Sequence, residues 1–333
     1  ARVQAQAHAA TQTDRMLIVM PFYHIGGPTE LFTYLIAGGT IVLHRTFDAV
    51  RVLDSIAAER VTVAHLAPTM IQMLLEALAQ HACDLSSLHT IVYASAPMSV
   101  ALSRRARAAF GPIFMQIYGM TEVGLGSVLQ KHQHILEGPA DQVKRLASAG
   151  QPYFDTDMRI VREDFTECDV GEVGDIWVRS PALMQGYWRR PDAPAPAFHD
   201  GYLKTGDMGY WDTDHFLFIV DRRKDMIVSG GENIYSREVE EALLAHPAVA
   251  EAAVIGVPDP QWGESVMAVV VLRPGADLSL DDAVTHCRAL IASYKKPKIL
   301  QIVDTMPRVV STNKIDKKAL REPYWRDQNR QIA

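Results

Sequence analysis

The sequence predicts an α/β protein in three parts: a mostly parallel sheet with covering helices, a β-rich barrel-like segment, and a small α+β module. Three observations point there. From Met16 to about Gln116, short apolar runs alternate with amphipathic stretches, the pattern of βα units in which crossover helices join parallel strands. Between Gly150 and Asp221 the texture changes to short alternating segments broken by Gly, Pro and Asp, as in antiparallel or barrel-like sheets. After Lys224 a helix, two strands, a second helix and a last strand follow in compact succession.

In the first part, strands are predicted at Met16 to Met20, Thr40 to Leu43, Val61 to Leu66, Thr90 to Tyr93 and Ile113 to Ile117. The helices between them carry their own start and stop chemistry. Ala49 to Arg60 follows Asp48, whose carboxylate can accept from a first-turn N–H; Thr69 to Gln80 follows Pro68; Val100 to Phe110 begins after Ser99 and stops at Gly111. The order of strands in the sheet is not set by these signals. In the second part, strands are predicted at Met158 to Val161, Gly174 to Arg179 and Phe216 to Val220, with Thr205-Gly206-Asp207 in a turn. The third part reads as helix Ser236 to Ala245, strands Val249 to Val257 and Ser265 to Leu272, helix Leu280 to Ala292 capped by Ser279, and strand Ile299 to Val303. The basic run Arg222-Arg223-Lys224 is the expected hinge, giving domains 1–149, 150–223 and 224–333, although such a charge cluster is also what a plain solvated loop contains.

Composition removes several function classes. With 48% hydrophobic and 22% charged residues the chain can bury real cores, which excludes disordered, collagen-like and low-complexity proteins. A net charge of −6 gives no basic face for a polyanion, so nucleic acid is not an expected partner. Cys83, Cys168 and Cys287 are far apart and lack C-x-x-C spacing, which suits isolated thiols in a reducing compartment. No run of about 18 apolar residues occurs, and the Ala/Gln-rich start is unlike a signal peptide, so no membrane span and a cytoplasmic location are expected. The chain starts at Ala1, as if inside a helix, and is expected to be part of something longer.

Some familiar signals are weak. Gly124-Leu125-Gly126 has Leu129 where a dinucleotide loop needs its third glycine, His132-Gln133-His134 has no further ligands at useful spacing, and no Gly-Lys-Ser/Thr loop is present. Polar residues at strand and turn ends are more informative. Tyr118-Gly119-Met120-Thr121-Glu122 follows an apparent strand, and ligands bind at the carboxyl ends of strands in open α/β sheets. A hydroxyl beside a carboxylate there can bind a phosphoryl oxygen and share a Mg²⁺ with it; an ordinary polar loop has the same composition. Asp207 in its turn can accept from the vicinal hydroxyls of a ribose or simply close an Asx-turn. The stretch from Asp221 to Ile234 joins a basic cluster to Gly230-Gly231, suited to a phosphate or ribose, or to a hairpin. Lys314 stands in the polar Ser311-Thr312-Asn313-Lys314-Ile315 loop, where most lysines are plain surface residues.

Together and in this order these segments resemble the adenylate-forming superfamily of acyl-CoA synthetases, peptide-synthetase adenylation domains and firefly-type luciferases. Five segments carry the resemblance: Pro21-Phe22-Tyr23-His24-Ile25-Gly26-Gly27, Tyr118 to Glu122, Gly201-Tyr202-Leu203-Lys204-Thr205-Gly206-Asp207, Asp221 to Ile234, and Pro307 to Ile315. His246 to Asp259 followed by Trp262-Gly263-Glu264 looks most like acid:CoA ligases. The resemblance implies ATP, Mg²⁺ and CoA as cofactor and co-substrates and a small-molecule carboxylic acid as substrate, with self-association left open. It implies that Thr121 binds phosphate and Glu122 the metal, and that Asp207 and Arg222 hold the ribose. Tyr118, Gly119 and Ser95-Ala96-Pro97 would flank the adenine, and His24 would line the acyl entrance. Lys314 would bridge the reacting carboxylate and the α-phosphate; Lys224 would be the hinge that exchanges it for Gly230, Gly231 and Glu232 in the second half-reaction. On this reading residues 1–149 are the later part of a large AMP-binding domain. The phosphate loop that family members carry before the His24 motif does not occur in these residues, so little or no adenylation is expected of this chain alone, and an inactive remnant that binds nucleotide, acyl-CoA or a partner is the alternative. Apolar and aromatic residues around Phe22, Tyr23 and Val123 to Leu125 suggest a hydrophobic acyl or aryl acid, as in fatty acid metabolism.

Overall fold

A computed structural model describes residues 1–94, 98–189, 198–309 and 314–326. The chain separates into two compact units, residues 1–205 with 210–219, and residues 206–209 with 220–333, the division passing through two strands.

The first unit begins with α1 (Arg2–Ala7), β1 (Arg15–Ile18), α2 (Gly26–Ala37), β2 (Thr40–Leu43), α3 (Ala49–Ala58), β3 (Val63–Leu66), α4 (Pro68–Leu78), β4 (Thr90–Tyr93), α5 (Val100–Phe110) and β5 (Phe114–Met120). It continues with β6 (Gly124–Leu129), α6 (Ala140–Lys144) and β7 (Gln151–Pro152). The strands form a seven-stranded sheet in the order β2-β1-β3-β4-β5-β6-β7, parallel from β2 to β5 and antiparallel beyond. Direction of travel reverses at β1, with β2 on one side and β3 on the other, so the β1/β3 boundary is the switch point where open sheets leave a crevice. Alternation puts Leu17, Leu66, Ile91 and Phe114 against α3, α4 and α5, and Met16, Ile18, Val63 and Val92 on the opposite side with Tyr34 of α2.

The helix signals work as chemistry. Asp48 accepts from the Arg51 N–H at 2.9 Å and Ser99 from the Leu102 N–H at 3.2 Å, each satisfying a first-turn donor. Helix α2 has no such signal, because its Gly-Gly-Pro opening reads as a loop. Strand β5 runs three residues further than Ile117, so Tyr118, Gly119 and Met120 lie within the strand and only Thr121 and Glu122 follow it. The cause is pairing with β6 across a register shift at Tyr118/Gly119, where a Cβ on Gly119 would stand 2.0 Å from the Gly124 carbonyl.

The β-rich part holds β8 (Asp157–Val161), β9 (Gly174–Arg179), β10 (Phe198–His199), β11 (Tyr202–Trp211) and β12 (Leu217–Arg222). They make a five-stranded sheet in the order β10-β11-β9-β8 with β12 beside β11. Thr205-Gly206-Asp207 is not a turn, as the sequence predicts, but the middle of β11; Gly206 takes φ +76°, a left-handed kink that lets the strand continue past it.

The second unit contains β13 (Ile227–Ser229), β14 (Glu232–Ile234), α7 (Ser236–Leu244), β15 (Val249–Asp259), β16 (Gly263–Leu272), α8 (Leu280–Leu290), β17 (Ile299–Ile302) and α9 (Lys317–Trp325). Its sheet runs β14-β13-β16-β15, with β17 parallel to β16. One face buries Val254, Val266 and Val270 with Val239 and Leu243 of α7 and Cys287 of α8; the other buries Ile255, Met267 and Met306, with Leu320 of α9 against them. Ser279 and Asp282 form the capping box of α8. The three cysteines are free, and burial pushes each thiol upward, as inert thiols require. Among the described residues no helix is long and apolar enough to cross a membrane.

One ion pair clamps the segment expected to be a hinge. Arg321 of α9 donates to the Lys224 carbonyl at 2.6 Å and pairs with Asp225 at 2.7 Å, both side chains about nine-tenths buried. Arg321→Ala leaves Asp225 without its partner and is expected to cost about 3 kcal/mol of unfolding free energy, read from the midpoint of denaturant unfolding. A loss below about 0.5 kcal/mol would place the pair in the class of surface bridges.

Candidate functional site

In the first unit, the carboxyl ends of the parallel strands β1 and β5 bring sequence-predicted residues to one edge of the sheet. His24 follows β1, half-buried, and its Nδ1 accepts from the Gly26 N–H at 3.2 Å. Thr121 is exposed and Glu122 half-buried just past β5. The Tyr187 hydroxyl donates to Glu122 Oε1 at 2.8 Å, and the Met184 N–H donates to the Glu122 carbonyl at the same distance. Burial and the adjacent carboxylate push the Tyr187 phenol upward, consistent with a hydroxyl that donates to Glu122. Tyr187 stands 65 residues from Glu122 and no motif marks it. Tyr118 is half-buried in β5, and Gly119 is exposed beside it. Ser95, Ala96 and Pro97 lie outside the described residues.

The weak signals resolve as structure. Gly124-Leu125-Gly126 is part of β6. His134 is buried, with Nε2 3.0 Å from the Tyr93 hydroxyl and Nδ1 2.9 Å from the Gln130 carbonyl, and burial lowers its pKa to about 4. A surface groove of about 600 Å³ lined by Arg107, Lys131, His132, His134 and Glu137 contains none of the predicted site residues.

In the second unit, three predicted residues meet. Asp207 of β11 pairs with Arg222 at 3.4 Å. The Lys314 ammonium, although exposed by area, is held below the ordinary lysine range by desolvation first and then by the Arg222 charge, with Asp207 pulling the other way. Strand pairing between Arg308 and Ile315 and the Val309 N–H bond to the Lys314 carbonyl at 2.8 Å pin the feet of this loop; residues 310–313, Asn313 among them, lie outside the described residues. Buried Asp221, which sequence reasoning missed, accepts from the Arg222 N–H at 2.8 Å and from the Ser236 hydroxyl at 2.8 Å, so it fixes the strand end that carries Arg222 to the start of α7.

Gly230 and Gly231, at φ +63° and +86°, form the two-residue turn of the β13/β14 hairpin, in which Ser229 pairs with Glu232. Glu232 is exposed, and Lys224 is exposed in a single 3₁₀ turn. Among the described residues no group of three or more His, Cys, Asp or Glu side chains could hold a metal by themselves. A lone carboxylate beside a hydroxyl, as at Glu122 and Thr121, suits an ion that takes its remaining ligands from phosphate and water.

The AMP-binding enzyme family model matches residues 1–188, and that of the AMP-binding enzyme C-terminal domain matches residues 238–313. A 2-succinylbenzoate–CoA ligase of Bacillus velezensis is 42% identical over 94% of this chain and 61% of that protein. A feruloyl-CoA synthase of an Amycolatopsis species is 39% identical over 93% and 62% respectively. The o-succinylbenzoate CoA synthetase of Bacillus subtilis, solved with its acyl-adenylate intermediate, superimposes with a TM-score of 0.86 at 37% identity, over 96% of this chain and 63% of that one. The chain thus spans about three-fifths of the length of these relatives.

Proposed function

The chain belongs to the AMP-binding enzyme family, and from that premise we propose that it serves as an ATP-dependent acid:CoA ligase. The observation that carries this reading is the meeting of Asp207, Arg222 and Lys314, distant in sequence, around one charged locus. In the first step a carboxylate oxygen of the acid attacks the α-phosphorus of ATP, the bond to the β-phosphate oxygen breaks, and pyrophosphate leaves. In the second the thiolate of CoA attacks the acyl carbon, the acyl–oxygen bond breaks, and AMP leaves, the thiol proton passing to solvent.

Negative charge builds on phosphate oxygens in the first step, so preplaced cations and donors do most of the catalysis. Lys314 lies between the two attracting anions, the acid and the α-phosphate. Asp207 accepts from the ribose hydroxyls while Arg222 holds its side chain, and Thr121 donates to phosphate. Glu122, held in place by Tyr187, would hold Mg²⁺ together with the nucleotide, and the ion would neutralise charge on the leaving pyrophosphate. Tyr118, Gly119 and Ser95-Ala96-Pro97 flank the adenine, and His24 lines the acyl entrance. Lys224 is the hinge between residues 1–223 and 224–333, within which residues 150–223 form their own β subdomain. Rotation there withdraws Lys314 and brings Gly230, Gly231 and Glu232 forward. The bulk of the neighbouring Phe22 and Tyr23, together with relatives named for aromatic and fatty acids, favours a hydrophobic or aryl acid. Three free thiols fit a cytoplasmic enzyme.

The test is ATP-dependent pyrophosphate release over a panel of aryl, medium-chain and dicarboxylic acids, with and without CoA, by the full reading frame that contains these residues. Release that depends on one class of acid supports the ligase; nucleotide binding with no release for any acid supports an inactive binding protein instead. Within the ligase reading, Glu122→Ala is expected to raise the Mg²⁺ concentration for half-maximal release by about tenfold or more, since it removes a carboxylate ligand. An unchanged Mg²⁺ dependence would take the metal away from Glu122.

A further inference from the structure

A buried carboxylate that the reaction does not use sits one helical turn past Gly26, at the start of the helix that follows His24. Glu30 of α2 is 1% exposed. Its Oε1 accepts from Gln4 at 2.8 Å and lies 2.8 Å from His65 Nδ1, while Oε2 is 3.6 Å from His8 Nδ1. Burying a carboxylate is costly unless neighbours compensate it, so its presence under the β1/β3 switch point asks what it holds.

It holds His65. A carboxylate can only accept, so Nδ1 of His65 carries the proton that it donates, and Nε2 is buried with no partner among the described residues. The ring reaches from Glu30 to Gly26, four residues earlier on the same helix face. A Cβ placed on Gly26 would lie 3.6 Å from His65 Cε1 and 3.3 Å from His24 Nδ1, so both imidazoles line the same space beside that glycine. The Gly26 N–H in turn donates to His24 Nδ1, which leaves the His24 proton on Nε2. Glu30 thus holds His65 beside Gly26, and the Gly26 N–H in turn holds His24.

We propose that Glu30 and His65 are positioning residues that fix the ring orientation and tautomer of His24 and thereby set affinity for the acid. This rests on the ligase reading, in which His24 faces the acyl entrance. A merely structural pair would lower stability and every kinetic constant together. A positioning pair moves one of them, because the nucleotide is gripped by other residues.

The experiment compares Glu30→Leu, Glu30→Gln and His65→Phe with the wild-type full reading frame, using an acid that supports pyrophosphate release. His65→Phe and Glu30→Leu are expected to raise KM for the acid about tenfold with KM for ATP and kcat within about twofold, and Glu30→Gln, whose oxygen still accepts from His65, is expected to stay within about threefold. Where Glu30→Leu does not fold, His65→Phe, which keeps a ring against Gly26, decides. Equal effects on both KM values, or none on either, overturn the proposal. Nitrogen-15 spectra of the His24 ring supply a reading independent of turnover: one fixed tautomer in wild type that becomes a mixture in His65→Phe supports it, and a mixture already in wild type overturns it. Absence of pyrophosphate release by wild type with every acid defeats the ligase reading alone and leaves those spectra to decide the positioning.

Discussion

Lys314→Ala is expected to lower pyrophosphate release by about 10²- to 10³-fold, the cost of removing one preorganised donor from a developing anion. The same variant is expected to pass the acyl group from supplied acyl-AMP to CoA at close to the wild-type rate, because no phosphate is being displaced at that stage. The environment of Lys314 adds a pH signature. Desolvation and Arg222 hold its ammonium below the ordinary lysine range. The cationic form is the useful one, so adenylation is fully present below the lysine's pKa in the folded protein and is lost as pH rises through it, earlier than an unperturbed lysine would allow. Arg222→Gln removes a repelling charge and is expected to move that basic limb up; Asp207→Asn removes an attracting one and is expected to move it down. The limb is read from kcat for pyrophosphate release at saturating ATP. Equal loss of both half-reactions in Lys314→Ala would remove the lysine from its adenylation role, and a limb indifferent to Arg222 and Asp207 would separate it from that pair.

What the sequence discloses and what it hides follow one physical division. Local chemistry is legible: Asp48, Ser99 and Ser279 cap the helices that they are expected to cap, and the strand Thr90–Tyr93, buried along its whole length, stands where its apolar run says. Elements whose local signal is contrary are lost. Helix α2 opens with Gly26-Gly27-Pro28 and reads as loop, although the sheet behind it supplies the packing that local propensity does not. Gly206 reads as a turn, although pairing in β11 carries the strand through it. The site divides in the same way. Motifs announce His24, Glu122, Asp207, Arg222 and Lys314, whereas the groups that steady the site, Tyr187 on Glu122 and Glu30 on His65, come from segments with no pattern of their own, and Asp221, although inside a motif, gives no sign of its hold on the Arg222 backbone. Strand order escapes for a related reason: each βα unit specifies its own hydrophobic period and none specifies its neighbour.

Gly230→Ala is expected to show the converse of Lys314→Ala, with transfer from acyl-AMP to CoA reduced by about 10²-fold and pyrophosphate release within about threefold of wild type, as a misplaced positioning group affects one step. The backbone at Gly230 has φ +63°, where an L side chain meets its own carbonyl at a cost of about 1 to 2 kcal/mol. A Cβ there would also stand 2.6 Å from Trp262 Cε3. The Gly230 N–H donates to the Trp262 carbonyl at 2.8 Å, and the half-exposed indole carries the Lys298 ammonium 4.8 Å from its ring centroid, so turning the ring away gives up that cation–π contact. Either the indole swings off Lys298 or the hairpin tip lifts, and each disturbs the loop that the second half-reaction is proposed to bring forward. Gly231 is the control one residue away: its φ of +86° carries the same backbone strain, but nothing stands within 4 Å of its Cβ position. Gly231→Ala is thus expected to cost stability of similar size, about 1 kcal/mol, with transfer to CoA reduced only a few-fold. The two variants are compared by thermal unfolding and by AMP release from acyl-AMP and CoA. If they lose transfer activity equally, backbone strain alone accounts for the defect and the seating of Gly230 on Trp262 has no part in thioester formation.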